Sequence, residues 1–79
     1  MDAVFNNSVP IYLQIVSEIK KQIVSGKLIP GERIPSVREL ALTYKVNPNT
    51  MQKALIELEE NGLIKTERTN GKFVTEDEN

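Results

Sequence analysis

Only Lys45 and Val46 separate two stretches that each carry the apolar spacing of an amphipathic helix. On the far side of that link, Met51, Ala54, Leu55 and Leu58 fall at i, i+3, i+4 and i+7, one stripe on a helix of 3.6 residues per turn. Asn47-Pro48 supplies its start: asparagine can cap the first turn, and proline fits the first helical position, where a missing N–H costs nothing. Asn61-Gly62 supplies its end. On the near side, Ser36 and Glu39 have capping-box spacing, in which each side chain satisfies a free N–H at the helix start. Val37, Leu40, Ala41 and Tyr44 provide that helix with a buried face. A link this short leaves the two helices packed as a crossed pair.

The flanking sequence extends the pattern in both directions. Ile11, Ile15, Ile19 and Ile23 recur at four-residue steps with Tyr12 and Val16 beside them, so a first helix is expected from Pro10 to Ser25. Pro10 is placed at its first position and Gly26 at its stop, with Gln14, Ser17, Glu18, Lys21 and Gln22 on the solvent side. Ile29-Pro30-Gly31-Glu32 reads as a β-turn, followed by a short edge strand at Ile34. After Gly62 the period changes. Leu63 to Arg68 and Lys72 to Thr75 read as two strands joined by Thr69-Asn70-Gly71, whose Asn-Gly pair favours a tight hairpin. The expected fold is mainly α with a small β-hairpin: three helices plus a wing, a winged helix-turn-helix. Three segments are expected: a flexible arm over 1–9, the folded domain over 10–75, and an acidic tail over 76–79 that begins a linker.

Composition narrows the function. There is no cysteine and no histidine, so thiolate metal sites, disulfides, cysteine nucleophiles and the commonest general base are all excluded. Nothing groups carboxylates, or a nucleophile with a base, so no enzyme, cofactor or metal is expected. No apolar run is long enough to suggest a membrane span, and the polar start lacks a signal-peptide pattern, which places the protein in the cytoplasm. The net charge is −1, but Glu76, Asp77 and Glu78 lie together at one end; the remainder carries 10 basic and 8 acidic residues, a balance of +2. Nucleic-acid binding would therefore depend on a local basic face rather than on net charge.

A helix-turn-helix offers the start of its second helix to base edges in the major groove. With Met51, Ala54, Leu55 and Leu58 turned inward, Asn49 and Lys53 point outward and Gln52 lies on the flank. Asparagine and glutamine can pair with adenine, lysine can reach guanine or phosphate, and Thr50 in the first turn can meet a phosphate. Ser36 and Arg38 can touch the backbone where the preceding helix crosses it, and Arg68 and Lys72 flank a wing tip able to follow phosphates or enter the minor groove. Each residue also has a plainer use. Ser36 and Asn47, both candidate DNA contacts at helix starts, cap helices. Asn49, Gln52 and Lys53 suit a solvated face, Arg38 can pair with Glu39 or Glu32, and Arg68 and Lys72 suit charges that protect a strand edge. Tyr12, Tyr44 and Phe73 read as core. A winged-helix protein-interaction module is the competing reading, motivated by near-neutral charge, the acidic tail and an outward Ile56.

The ordered segments resemble those of GntR-family regulators. Pro10-Ile11-Tyr12-Leu13-Gln14-Ile15 resembles the opening of that family's DNA-binding domain, and Gly26 to Glu32 continues the likeness. Ile34-Pro35-Ser36-Val37-Arg38-Glu39-Leu40-Ala41 resembles its most diagnostic segment. Val46 to Ala54 is similar to the recognition segment of the YtrA-like subfamily, and Glu57 to Ile64 and Gly71 to Val74 complete the match. The resemblance implies a winged helix that binds a palindromic operator in double-stranded DNA, usually as a dimer and usually as a repressor. It also implies a C-terminal domain for effector binding and dimerisation that these 79 residues do not include, so that the isolated domain is expected to be monomeric. It assigns DNA contacts to Arg38, to the start of the third helix and to the wing tip around Gly71. The chain departs from the family at four places. Pro48 and Gln52 stand where many members have arginine, which points Gln52 towards adenine. Thr69 and Asn70 replace a common Gly-Lys. Lys45 occupies a position that is often glycine; a positive φ there costs about 1 kcal/mol.

Overall fold

The computed structural model describes residues 8–68 and 71–76. Three helices, α1 (Ile11–Val24), α2 (Val37–Tyr44) and α3 (Pro48–Glu60), precede an antiparallel hairpin of β1 (Ile64–Glu67) and β2 (Gly71–Val74). Residues 1–7 of the expected arm over 1–9, the turn residues Thr69 and Asn70, and residues 77–79 of the expected tail over 76–79 lie outside the described residues.

In α1, Ile15, Val16 and Ile19 are buried while Ile11 is 44% exposed and Ile23 is only partly covered. The four-residue spacing predicts Ile11 in the buried stripe, and the structure corrects this. A four-residue step overshoots a full turn by about 40°, so a run of such steps walks off the core at its ends. Pro10 also sits one position earlier than expected. Its ψ of 141° makes it the N-cap residue, with its carbonyl accepting from the amides of Leu13 and Gln14. Three residues expected on the solvent face are drawn inward: Gln14 and Glu18 are half-buried, and Gln22, also half-buried, donates to the Tyr44 hydroxyl at 3.4 Å, tying α1 to the end of α2. Burial of that phenol raises its pKa above the ordinary tyrosine value, against an opposing pull from the Gln22 hydrogen bond.

Helix α2 begins with the full capping box. Ser36 Oγ accepts from the Glu39 amide at 3.2 Å, and Glu39 Oε1 accepts from the Ser36 amide at 3.1 Å. It ends at Lys45, which adopts φ 59° and ψ 48°, with the Val46 amide reaching back to the Ala41 carbonyl. This left-handed cap is what reverses the chain within three residues before α3. Lysine there carries a steric penalty that glycine avoids, partly offset by glycine's larger unfolded-state entropy. Lys45→Gly is therefore expected to stabilise the fold by about 0.5–1 kcal/mol and raise the thermal midpoint by roughly 4 °C. An unchanged or lower midpoint would show that the left-handed turn carries no such strain.

Helix α3 packs against α1, α2 and β1, which makes it the centre of the molecule. Met51, Ala54, Leu55 and Leu58 are completely buried, as the spacing predicts. Its end is a Schellman closure: the Leu63 amide bonds to the Leu58 carbonyl and the Gly62 amide to that of Glu59, with Gly62 at φ 78°. Leu63 is thereby committed to the helix cap, so β1 starts at Ile64 rather than Leu63. The hairpin pairs Ile64 with Val74 and Glu67 with Gly71, and buries Ile64 and Val74 against the helices.

The turn at Ile29–Glu32 forms as expected, with the Glu32 amide bonded to the Ile29 carbonyl and Gly31 at φ 84°. The segment after it pairs with the outer edge of β2. The Ile34 amide donates to the Lys72 carbonyl, the Val74 amide to that of Glu32, and Arg33 lies opposite Phe73. Alternation then turns Ile34 into the core, 4% exposed, and Arg33 outward.

Candidate nucleic-acid interface

The first two turns of α3 define the surface. Pro48 occupies the first helical position, and Asn47 Oδ1 accepts from the Asn49 amide at 2.8 Å, so Asn47 serves as the helix cap. Asn49 and Lys53 are exposed on the side opposite the buried stripe, Gln52 is exposed on its flank, and Thr50 is half-buried at its edge. No acidic residue stands in the first turn of α3, and the first one along the helix is Glu57. An outward face that carries amides and a cation but no carboxylate suits a polyanion whose base edges offer donors and acceptors.

Lys53 is oriented by α1. Its ammonium lies 5.1 Å from the centroid of the Tyr12 ring, a cation–π contact that restrains a long side chain. Tyr12, expected only as core, thus has a second use that its place in an apolar stripe conceals.

Arg38 lies exposed in the first turn of α2. The two acidic partners that the sequence offers it are engaged elsewhere: Glu39 Oε1 closes the capping box, and Glu32 Oε1 accepts from the Ile29 amide at 3.0 Å. Among the described residues no ion pair joins Arg38 to either. Arg38 and Pro48 line one cleft together with Ala41, Leu42 and Val46, so the arginine and the start of α3 form a continuous surface. Ser36 is taken up by capping.

The wing is organised differently from a simple pair of free cations. Arg68 is exposed just beyond β1. Lys72 is half-buried: its ammonium donates to Thr66 Oγ1 at 2.8 Å and lies 3.7 Å from Glu59 on α3. It spans from the hairpin to the helix, a contact invisible in the sequence because Glu59 is remote along the chain. Gly71, at φ 97°, lets the Arg33 guanidinium approach; a β-carbon there would stand 3.3 Å from Arg33 Nη2. Sequence reasoning misses Arg33. The available signal is the alternation that buries Ile34, which turns its neighbour outward beside the wing. Among the described residues, no group of acidic side chains is placed to hold a metal ion, and no helix is long and apolar enough to cross a membrane.

Comparison with known proteins agrees with this geometry. Residues 11–74 match the model of the gntR family of bacterial regulatory proteins. The chain is 47% identical over 76 residues to YhcF of Bacillus subtilis (strain 168), an uncharacterised HTH-type transcriptional regulator; the match covers 96% of this chain and 63% of YhcF. It is 46% identical over 70 residues to the HTH-type transcriptional repressor YtrA of the same organism, covering 89% of this chain and 54% of YtrA. The chain thus spans little more than half the length of these relatives. The crystal structure of AraR(DBD) in complex with operator ORX1 superposes with a TM-score of 0.85 at 30% identity, covering 95% of this chain and 96% of that one. These relatives are regulators of transcription, in line with the expectation that the chain is not an enzyme. With its three helices, tight inter-helical turn and β wing, and a family match running from the first residue of α1 to the last of β2, this chain belongs to the GntR family of bacterial regulatory proteins.

Proposed function

We propose that this chain is the operator-binding domain of a transcriptional repressor and reads one half of a palindromic site in double-stranded DNA. The observation that carries the reading is the outward face of the first two turns of α3, which holds Asn49, Gln52 and Lys53 and no carboxylate, continuous with Arg38 through the cleft beside Pro48. In this reading α3 enters the major groove. Gln52 and Asn49 address base edges, Lys53 addresses guanine or phosphate, Arg38 addresses phosphate, and Thr50 with the first-turn amides meets the backbone. Arg68, Gly71 and the neighbouring Arg33 place the wing along the adjacent phosphates, while Lys72 holds the hairpin to α3 and contributes less charge to the contact. Ser36 and Asn47 act by fixing the two helix starts.

The likeness to AraR(DBD) in its operator complex, and to the repressor YtrA, supports operator binding by this domain. The greater length of the Bacillus relatives leaves room for a region that dimerises and binds an effector. In a cytoplasmic dimer two such domains would meet two half-sites, and linkage would make the joint affinity far exceed that of one domain. A fluorescence titration of the chain against its own upstream promoter and a scrambled duplex, at two salt concentrations, tests the reading. Tighter binding to the promoter that weakens as salt rises is the expected result. Absence of binding to either duplex at low salt would overturn it in favour of a protein-interaction module.

A further inference from the structure

The cleft beside the start of α3 is unlike the rest of that surface. Ala41, Leu42, Val46 and Pro48 line it together with Arg38, and its volume is about 310 Å³. Leu42 is 78% exposed and lies one helical turn after Arg38 on the same side of α2. A single exposed leucine carries little information. Here it joins a second apolar side chain, Val46, and a proline ring at the first position of α3.

Resting on the operator-reading role proposed above, we infer that this cleft receives the 5-methyl group of a thymine and so makes the chain selective for an A·T pair beside the one read by Gln52. Three observations select this occupant. First, a helix-turn-helix docks with the start of its second helix at the base edges and its first helix across the backbone, so a cleft between the two faces the major groove. Second, the thymine methyl is the one apolar group that the four base pairs present there. Pro48 brings no side-chain donor or acceptor, so no hydrogen-bonded base edge suits that position. Third, among the described residues the charge lining the cleft is the Arg38 guanidinium, which complements the phosphates flanking such a base, and no carboxylate lines it to repel them. Pro48 and Gln52 are one turn apart, about 6 Å along the helix, within two base steps of each other. Gln52 on adenine and the cleft on thymine would thus read neighbouring pairs.

Replacing thymine by deoxyuridine deletes the methyl and leaves every hydrogen-bonding group in place, which isolates the contact. The experiment selects duplexes from a random-sequence pool with this chain, then substitutes each thymine of a selected duplex in turn. One thymine per half-site is expected at which uracil weakens binding about three- to fivefold, the worth of one buried methyl. With Leu42→Ser, an exposed change that leaves the core intact, that penalty should shrink to less than about 1.5-fold. No sensitive thymine, or a penalty undiminished in Leu42→Ser, overturns the assignment. If the selected duplex still binds specifically and weakens with salt in those cases, operator reading stands without the thymine contact. Failure to enrich any duplex overturns both.

Discussion

Replacing Leu55 by alanine should lower the free energy of unfolding by about 3 kcal/mol, within the roughly 2–5 kcal/mol typical of large-to-small changes in a packed core. Leu55 is fully buried on the element that touches α1, α2 and β1, so the cavity opens where three packing partners meet. Alanine is the better helix former, so the loss cannot come from backbone propensity. The size of the effect matters because a chain of 79 residues has a small total stability, on the order of 4–12 kcal/mol. The neighbouring residue gives a built-in control: Ile56 is 44% exposed, and Ile56→Ala should cost less than about 1 kcal/mol. Urea unfolding of the two variants, with the slope unchanged, measures the contrast. Equal losses would mean that α3 is not the centre of the core.

Features that depend on near neighbours in the sequence can be read from it directly. The Ser36–Glu39 box, the Asn47-Pro48 start and the stripe from Met51 to Leu58 are set within one or two helical turns, and each stands where the spacing places it. The left-handed backbone at Lys45, φ 59°, is implied only by the family resemblance, which often has glycine at that position. Features set by distant contacts are less legible. Leu63 has the composition of a strand, but the Schellman closure claims its amide for the helix. Ile11 keeps the four-residue spacing of α1 and still leaves the core, because that spacing drifts by about 40° per step and only the packing decides which part of the run faces the neighbours. The partners of Lys72 and Lys53 lie on other elements, so the sequence ranks both as candidate contacts without showing that one is bound to Glu59 and the other rests on Tyr12. The family resemblance says only where an interface is to be expected; the distances among its side chains come from the packing.

That packing separates two kinds of contact by their expected signatures. Arg38→Ala should weaken binding to promoter and scrambled duplex alike, by roughly 10- to 100-fold, because a charge-assisted contact to the backbone is sequence-blind. The same change should reduce the slope of log affinity against log salt by about one, since one fewer phosphate is neutralised. This expectation follows from its exposed position and from the commitment of Glu39 and Glu32 to backbone amides, which keeps those carboxylates from competing with DNA for the guanidinium. Gln52→Ala should behave in the opposite way. It removes a bidentate contact worth roughly 5- to 100-fold at the promoter, leaves the scrambled duplex almost unaffected, and preserves the salt slope because no charge is lost. An Arg38→Ala loss of less than about twofold would remove that residue from the interface. A Gln52→Ala loss equal on both duplexes would show that α3 lies against the backbone without reading bases, and the specificity of the domain would then have to come from the wing and from the shape of the DNA.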